Sequence, residues 1–184
     1  MIGFRNRPRT DFIVLHCSQT HPDELDTLGR RFDALSLDRK HRELGALCCG
    51  YHHVILRDGA CVSIRPQTVP GNHCPGVNSV SVAVCLIGGK DREGNPEQNF
   101  TEDQWETLKF LLDALTRQYP DARVVGHQDV ASHKTTCPSF DVLNWISVQK
   151  TRRLQKQTKE QDHEQHKQEP EPWGPYPAAP SVEG

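Results

Sequence analysis

Short apolar runs alternate with polar segments over the first 149 residues of the chain. Five of these runs have the length and residue types of strands, and they lie at residues 12–15, 51–57, 60–64, 79–87 and 122–126. The second and third runs flank Asp58-Gly59, a pair that is typical of hairpin turns. The first run leads into His16 and the last leads into His127, so both histidines are predicted at strand ends.

Three further segments place apolar residues at the three- and four-residue spacing of helices. They are residues 25–44, residues 101–115 and a last segment that follows Ser139. The middle segment begins with Thr101 and Gln104 at the spacing of a capping box. One mixed sheet flanked by helices is the economical arrangement of this alternation. The sequence therefore predicts a single α/β domain over residues 1–149.

The composition changes sharply after this predicted domain. The chain has 184 residues, and its hydrophobic share of 35% is below that of ordinary globular domains. The deficit is concentrated in residues 150–184, which are polar and have five of the 13 prolines after Glu169. The Gln, Lys and Glu residues up to Lys167 permit a brief helical extension, whereas the Pro-rich end does not. Because such a segment buries too little apolar surface to offset its ordering entropy, we predict a disordered tail.

Charge and hydropathy argue against several functional classes. The formal net charge is -2, so no global basic field favours nucleic acid as a partner. The longest apolar runs are too short to cross a bilayer, and no membrane insertion is expected. The N-terminal segment is charged and lacks the apolar stretch of a secretory signal, which predicts a cytosolic start. No coiled-coil repeat occurs in the sequence, and a monomer is expected.

The chain is rich in residues that bind soft metals, with 7 cysteines and 10 histidines. Three of them, His16, His127 and Cys137, stand at strand ends or before the last helix, where a rigid sheet directs side chains into one cleft. Zinc accepts imidazole nitrogen and thiolate sulphur together, and a catalytic zinc site commonly has three protein ligands. From spacing alone, buried cysteines and hydrogen-bonded histidines are the more common explanation, and both interpretations stay open.

Four sequence blocks occur in order along the predicted domain: FIVLHCSQT, CCGYHHVILRDG, SVAVCLIGG and VVGHQDVASHKTTCPSFD. Together they resemble the zinc-dependent N-acetylmuramoyl-L-alanine amidases, and most closely the short phage lysozymes that share a fold with peptidoglycan-recognition proteins. The resemblance covers residues 11–146 and leaves the tail unmatched. It implies a central mixed sheet flanked by helices, and hydrolysis of the amide bond between N-acetylmuramic acid and L-alanine in peptidoglycan. It also implies a phage endolysin that stays in the host cytoplasm until it is released to the cell wall.

The same resemblance implies roles for individual residues. His16, His127 and Cys137 match the ligands of one zinc ion, and Tyr51 matches the position of the catalytic tyrosine. A tyrosine there would hydrogen-bond the oxyanion that forms as water attacks the amide carbon. Because this chemistry needs no covalent enzyme intermediate, no serine triad is expected.

One family position departs from the usual pattern. The family places a lysine two residues before the cysteine ligand, where Thr135 stands here, whereas Lys134 lies three residues before Cys137. Lys134 is the first candidate for the lysine role, and Thr135, a residue type that some relatives use at this place, is the reserve. His73 matches a family position near the substrate cleft, and Asn78 is expected to help shape that wall, so both are assigned to substrate binding.

Two functions without catalysis stay open at this point. One is a peptidoglycan-binding protein on the same scaffold; such relatives typically lose the cysteine ligand, so the presence of Cys137 favours an enzyme. The other is a regulator that binds an RNA polymerase, which is a side role of the short phage enzymes. Neither the net charge nor any motif supports or opposes that role.

Overall fold

A five-stranded mixed sheet forms the centre of the protein, whose computed structural model describes residues 6–166. The strands are β1 (Phe12–Cys17), β2 (His53–Ile55), β3 (Cys61–Ser63), β4 (Ser81–Leu86) and β5 (Arg123–Gly126). Their order across the sheet is β3-β2-β4-β1-β5. The neighbours pair in parallel except β2 and β3, which form the antiparallel hairpin. The predicted α/β class with a central mixed sheet is confirmed.

The described residues also form four α-helices: α1 (Ala34–Glu43), α2 (Glu102–Gln118), α3 (His127–Val130) and α4 (Val142–His166). Helix α1 is shorter than the periodic segment at residues 25–44 predicted, and it begins only after its N-cap Asp33. The reason lies in Asp26, whose carboxylate accepts the backbone N–H groups of Leu28 and Arg30 at 2.9 Å each. Aspartate that bonds nearby N–H groups offers the backbone an alternative to a helix, and residues 25–31 take that alternative.

The predicted capping box opens helix α2 and ties it to the sheet. The Thr101 hydroxyl accepts the Gln104 N–H at 3.2 Å, and the Gln104 side-chain oxygen accepts the Thr101 N–H at 3.1 Å. Gln104 is fully buried, and its side-chain nitrogen donates to the carbonyls of Ile55 and Ile87 at 3.2 and 3.0 Å. One buried amide with all its groups paired therefore anchors the helix start to the ends of β2 and β4.

Register decides which side chains share a face of the sheet. In the β1–β4 ladder, Ser81 lies opposite Phe12 and Cys85 lies opposite His16. Because side chains alternate along a strand and paired residues share a face, His16, Ser81 and Cys85 project to the same side. Helix α1 packs on that side, since its Leu37 belongs to the same buried cluster as Cys85.

The chain divides into two units between Trp145 and Ile146, and helix α4 continues through His166. Residues 150–166 are part of this helix, in the stretch whose composition permits a helical extension. Gln, Lys, Glu and Arg have high intrinsic helix propensity, which explains the extension. The predicted disorder of the tail stays a prediction. The Pro-rich part from residue 167 lies outside the described residues, and the domain boundary at residue 149 stays a prediction. No helix within residues 6–166 combines the length and hydropathy of a bilayer span.

Candidate metal centre

The three predicted ligands meet in one place although His16 and Cys137 are 121 positions apart in the sequence. His16 lies on β1, His127 starts α3 directly after β5, and Cys137 lies in the loop before α4. Strands β1 and β5 are neighbours, with Leu15 paired to Gly126, so the residues that follow these two emerge side by side. The ligand atoms of the three side chains all lie within 4.8 Å of one another. The Cys137 sulphur is 3.7 Å from Nδ1 of His16.

The donor set fits a zinc ion on its own chemistry. Nε2 of His127 is buried and finds no hydrogen-bond partner among residues 6–166. A buried polar atom without a partner is costly, and a bound cation is one way to satisfy it. Burial lowers the pKa of His16 well below its ordinary value and also lowers the pKa of His127. Both rings are therefore neutral at pH 7, the form in which imidazole binds a metal.

Two hydrogen bonds with neighbouring parts of the chain hold Cys137 in place. The Cys17 N–H donates to the sulphur at 3.3 Å, and the Thr135 hydroxyl accepts the Cys137 N–H at 3.2 Å. The neighbouring Cys17 thiol, followed by burial, raises the pKa of Cys137 well above its ordinary value. A cation in the site would reverse that shift, because metal binding favours the thiolate and releases its proton.

Tyr51 lies beside the candidate ligand His16, with its ring centroid 5.0 Å from that of the imidazole. Burial raises the pKa of Tyr51 well above its ordinary value, so the phenol keeps its proton at neutral pH and serves as a hydrogen-bond donor. A Cβ at the preceding Gly50 would lie 1.9 Å from the Asn72 carbonyl oxygen, so the chain enters this position only through glycine.

His41 of α1 is a neighbour of the site that the sequence did not indicate. Its Nδ1 accepts the Gly50 N–H at 2.8 Å, and its ring centroid is 5.2 Å from that of Tyr51. In the sequence His41 belongs to a charged helical face, and no local pattern distinguishes it from a solvent-exposed residue. The contact with Gly50 and Tyr51 exists only because α1 packs on this face of the sheet.

The two candidates for the lysine role occupy different environments. The Lys134 side chain is exposed on the loop between α3 and α4. Thr135 is half-buried, and its hydroxyl accepts the backbone N–H of the candidate ligand Cys137. The loop therefore places Thr135 against Cys137 and exposes Lys134 to solvent.

His73 and Asn78, which were assigned to the substrate cleft, lie in the loop between β3 and β4. Nδ1 of His73 is 3.0 Å from Nε2 of the candidate ligand His16. The side-chain oxygen of Asn78 accepts the N–H groups of His73 and Cys74 at 2.9 Å each. In this arrangement Asn78 shapes the loop, and His73 contacts a candidate metal ligand. The contact of His73 with Ser81 on β4, at 3.1 Å, brings in a residue that sequence reasoning missed.

The sequence is similar to a known family and to phage endolysins. The family described as N-acetylmuramoyl-L-alanine amidase matches residues 6–140. An endolysin of Enterobacteria phage K11 is 41% identical over 147 residues, which cover 80% of this chain and 92% of the phage protein.

Solved structures show the same architecture. The endolysin amidase LysCS from Clostridium intestinale has a TM-score of 0.66 at 23% identity, covering 81% of this chain and 88% of that one. Bumblebee PGRP-SA has a TM-score of 0.63 at 19% identity, covering 79% of this chain and 85% of that one. At these identities the likeness concerns the fold, and it agrees with the expected amidase and peptidoglycan-recognition architecture.

Proposed function

Since the chain belongs to the N-acetylmuramoyl-L-alanine amidase family, we propose that it hydrolyses the amide between N-acetylmuramic acid and L-alanine of peptidoglycan in a zinc-dependent reaction. The observation that carries the zinc dependence is the convergence of His16, His127 and Cys137, whose ligand atoms all lie within 4.8 Å of one another. A phage relative is named an endolysin. We propose that this chain has the same role and lyses a host cell, staying in the host cytoplasm until it is released to the cell wall.

The chain's own groups divide the chemistry between them. His16, His127 and Cys137 would hold the ion through two neutral nitrogens and one thiolate. A zinc ion bound there supplies Lewis acidity, which polarises a carbonyl group and lowers the pKa of water. Tyr51 donates its phenolic proton in a hydrogen bond to the amide oxygen as negative charge develops on it. The raised pKa of Tyr51 keeps that donor protonated throughout the neutral range.

Lys134 completes this arrangement in our proposal. Lys134 is exposed and stands three positions before Cys137 in the sequence. The Thr135 hydroxyl, which accepts the Cys137 N–H, fixes the loop between them. A positive charge near the developing oxyanion stabilises the transition state without binding the ground state more tightly. The presence of all three candidate ligands together with Tyr51 favours this enzymatic role over wall binding alone.

Digestion of purified peptidoglycan distinguishes the proposed reaction from other wall hydrolysis. We expect free stem peptides that begin with L-alanine and no new reducing sugar ends, measured by mass spectrometry and a reducing-end assay. The Cys137→Ser variant, treated in the same way, serves as the blank for contaminating hydrolases. New reducing ends in the wild-type digest would identify a glycosidase and overturn the amidase assignment.

The proposed role of Lys134 is tested by comparing two neighbouring substitutions. Lys134→Ala is expected to lower kcat on the order of 10²-fold, the effect of losing one oxyanion-stabilising group, with the zinc content unchanged. Thr135→Ala is expected to weaken zinc binding instead, because it removes the hydroxyl that holds the Cys137 backbone. Lys150→Ala removes an exposed lysine of helix α4 and is the matched control. Wild-type rates in both test variants would show that neither residue has the lysine role.

A further inference from the structure

An unbroken series of short contacts leads from the ligand His16 into the backbone behind the site. Nε2 of His16 lies 3.0 Å from Nδ1 of His73, and Nε2 of His73 lies 3.1 Å from the Ser81 hydroxyl oxygen. That hydroxyl lies 2.7 Å from the carbonyl oxygen of Val77. At the other end, Nδ1 of His16 faces the Cys137 sulphur at 3.7 Å. The series therefore connects the Val77 carbonyl to the His16 ring, whose Nδ1 lies on the side of Cys137.

The carbonyl at the far end gives the series one direction. A carbonyl oxygen only accepts, so the Ser81 hydroxyl donates to Val77 and offers its own lone pairs to Nε2–H of His73. A neutral His73 that carries its proton on Nε2 has a bare Nδ1, which accepts Nε2–H from His16. A neutral His16 then has a bare Nδ1 on the side of Cys137. The reverse direction would put a proton on that Nδ1, where a metal needs the lone pair.

Each of the two rings contacts one neighbour through each of its nitrogens. His73 contacts Ser81 through Nε2 and His16 through Nδ1. Because a neutral imidazole has one donor and one acceptor nitrogen, the hydrogen-bond direction that is set at the Val77 carbonyl also decides the proton position on both rings.

The fold holds the His73 ring against His16 from three sides. Ser81 and His16 project from the same face of the sheet, in the register that pairs Ser81 with Phe12. A Cβ at Gly71 would lie 2.3 Å from a ring carbon of His73, so the absence of a side chain at Gly71 makes room for the ring. The two backbone hydrogen bonds to Asn78 fix the start of the loop at His73 and the next residue. The surrounding backbone therefore fixes the position of the His73 ring.

We propose that His73 and Ser81 are positioning residues that hold His16 in the tautomer with Nδ1 free for the metal. The inference rests on the proposed zinc-dependent function, and it replaces substrate binding as the role of His73. Partners behind a metal-binding histidine commonly fix its tautomer and ring orientation, and losing one typically costs 10- to 100-fold in metal affinity. Here the partner is a second histidine whose own tautomer is set by a serine on the neighbouring strand.

Nuclear magnetic resonance of the full chain with ¹⁵N-labelled histidine measures the tautomer directly. In the metal-free wild-type protein we expect Nδ1 of His16 and Nδ1 of His73 to be unprotonated. In Ser81→Ala both rings should populate the second tautomer, because His73 has lost the acceptor for Nε2–H. Ser81→Thr keeps the hydroxyl and should restore the wild-type pattern. If threonine is not accommodated, His73→Leu provides the second test, since it removes the acceptor for His16 directly.

Zinc affinity gives an independent measure of the same role. Ser81→Ala and His73→Leu are expected to weaken zinc binding by about 10- to 100-fold. Ser63→Ala is the matched control, because the exposed Ser63 makes a 3.0 Å contact with Nδ1 of His53 outside the site. A role limited to packing would lower thermal stability and leave the His16 tautomer unchanged.

Two results would overturn the inference: a proton on Nδ1 of His16 in the metal-free wild-type protein, or a Ser81→Ala variant with wild-type tautomers and zinc affinity. Failure of the proposed function looks different. A wild-type protein that binds no zinc would refute the metal site, whereas the tautomers of the metal-free chain would still decide the roles of His73 and Ser81.

Discussion

Replacing Cys137 with serine is expected to empty the metal site and to abolish amide hydrolysis. The wild-type protein should contain about one zinc per chain, and Cys137→Ser should contain almost none, because the thiolate is the anionic member of the donor set. Loss of the metal removes several kcal/mol of transition-state stabilisation, which corresponds to a rate decrease of about 10³-fold or more. Elemental analysis and peptide release from peptidoglycan measure the two effects on the same preparation.

The control for this substitution is another cysteine-to-serine change. Cys61 of β3 is exposed and lies outside the donor set, so Cys61→Ser should keep both zinc and activity. Removing zinc from the wild-type protein with a chelator should reproduce the Cys137→Ser phenotype, and added zinc should restore only the wild-type enzyme. Full zinc retention by Cys137→Ser would remove Cys137 from the ligand set.

Replacing Tyr51 with phenylalanine is expected to lower kcat by about 10²- to 10³-fold, the usual effect of losing one donor to a developing oxyanion. The ring and its packing against His16 remain, so zinc content and wall binding should not change. A large fall in kcat with an unchanged KM is the result expected for an interaction that forms only in the transition state. Initial rates on a soluble muropeptide substrate separate these two parameters.

Tyr119 offers the matched control for the loss of a phenolic hydroxyl. Its hydroxyl donates to the Gln67 side chain at 3.0 Å, and neither residue belongs to the donor set. Tyr119→Phe should therefore retain wild-type kcat and zinc content. Unchanged hydrolysis by Tyr51→Phe would exclude the phenol from the chemistry, whatever its distance from the ligands.

The two substitutions together separate the metal from the donor that acts beside it. Cys137→Ser is expected to lose metal and activity together, whereas Tyr51→Phe is expected to lose activity with the metal in place. A zinc-loaded Tyr51→Phe protein that still binds the wall would also be the appropriate form for trapping an uncleaved substrate. We expect the loss of activity to be separable from the loss of metal because Tyr51 contacts the ring of His16 and is not a member of the donor set.

Local patterns were sufficient for most of the architecture. The apolar run before His16, the hairpin pair Asp58-Gly59 and the capping box at Thr101 correspond to β1, the β2–β3 turn and the start of α2. Each of these signals acts within a few residues, through side-chain alternation, turn geometry or a cap. The predicted start of α1 failed for a local reason too, since Asp26 bonds nearby N–H groups in a way that helical periodicity does not reveal.

The sequence by itself determined the fold class and the identity of the candidate metal ligands. It did so because strand ends are marked by apolar runs, and because His16, His127 and Cys137 stand within ordered blocks that resemble a known family. The convergence of these side chains follows from the neighbouring positions of β1 and β5, which the sequence alone did not specify.

Only the tertiary structure decided what surrounds the ligands. His73 contacts His16 on one side and Ser81 on the other because β4 pairs with β1 in one particular register and because Gly71 leaves room for the His73 ring. His41 reaches Tyr51 because α1 packs on the same face. These contacts join residues far apart in the chain, and a shift of one residue in register would turn Ser81 to the other side of the sheet. No local pattern records that choice, because it depends on how the strands and loops pack together.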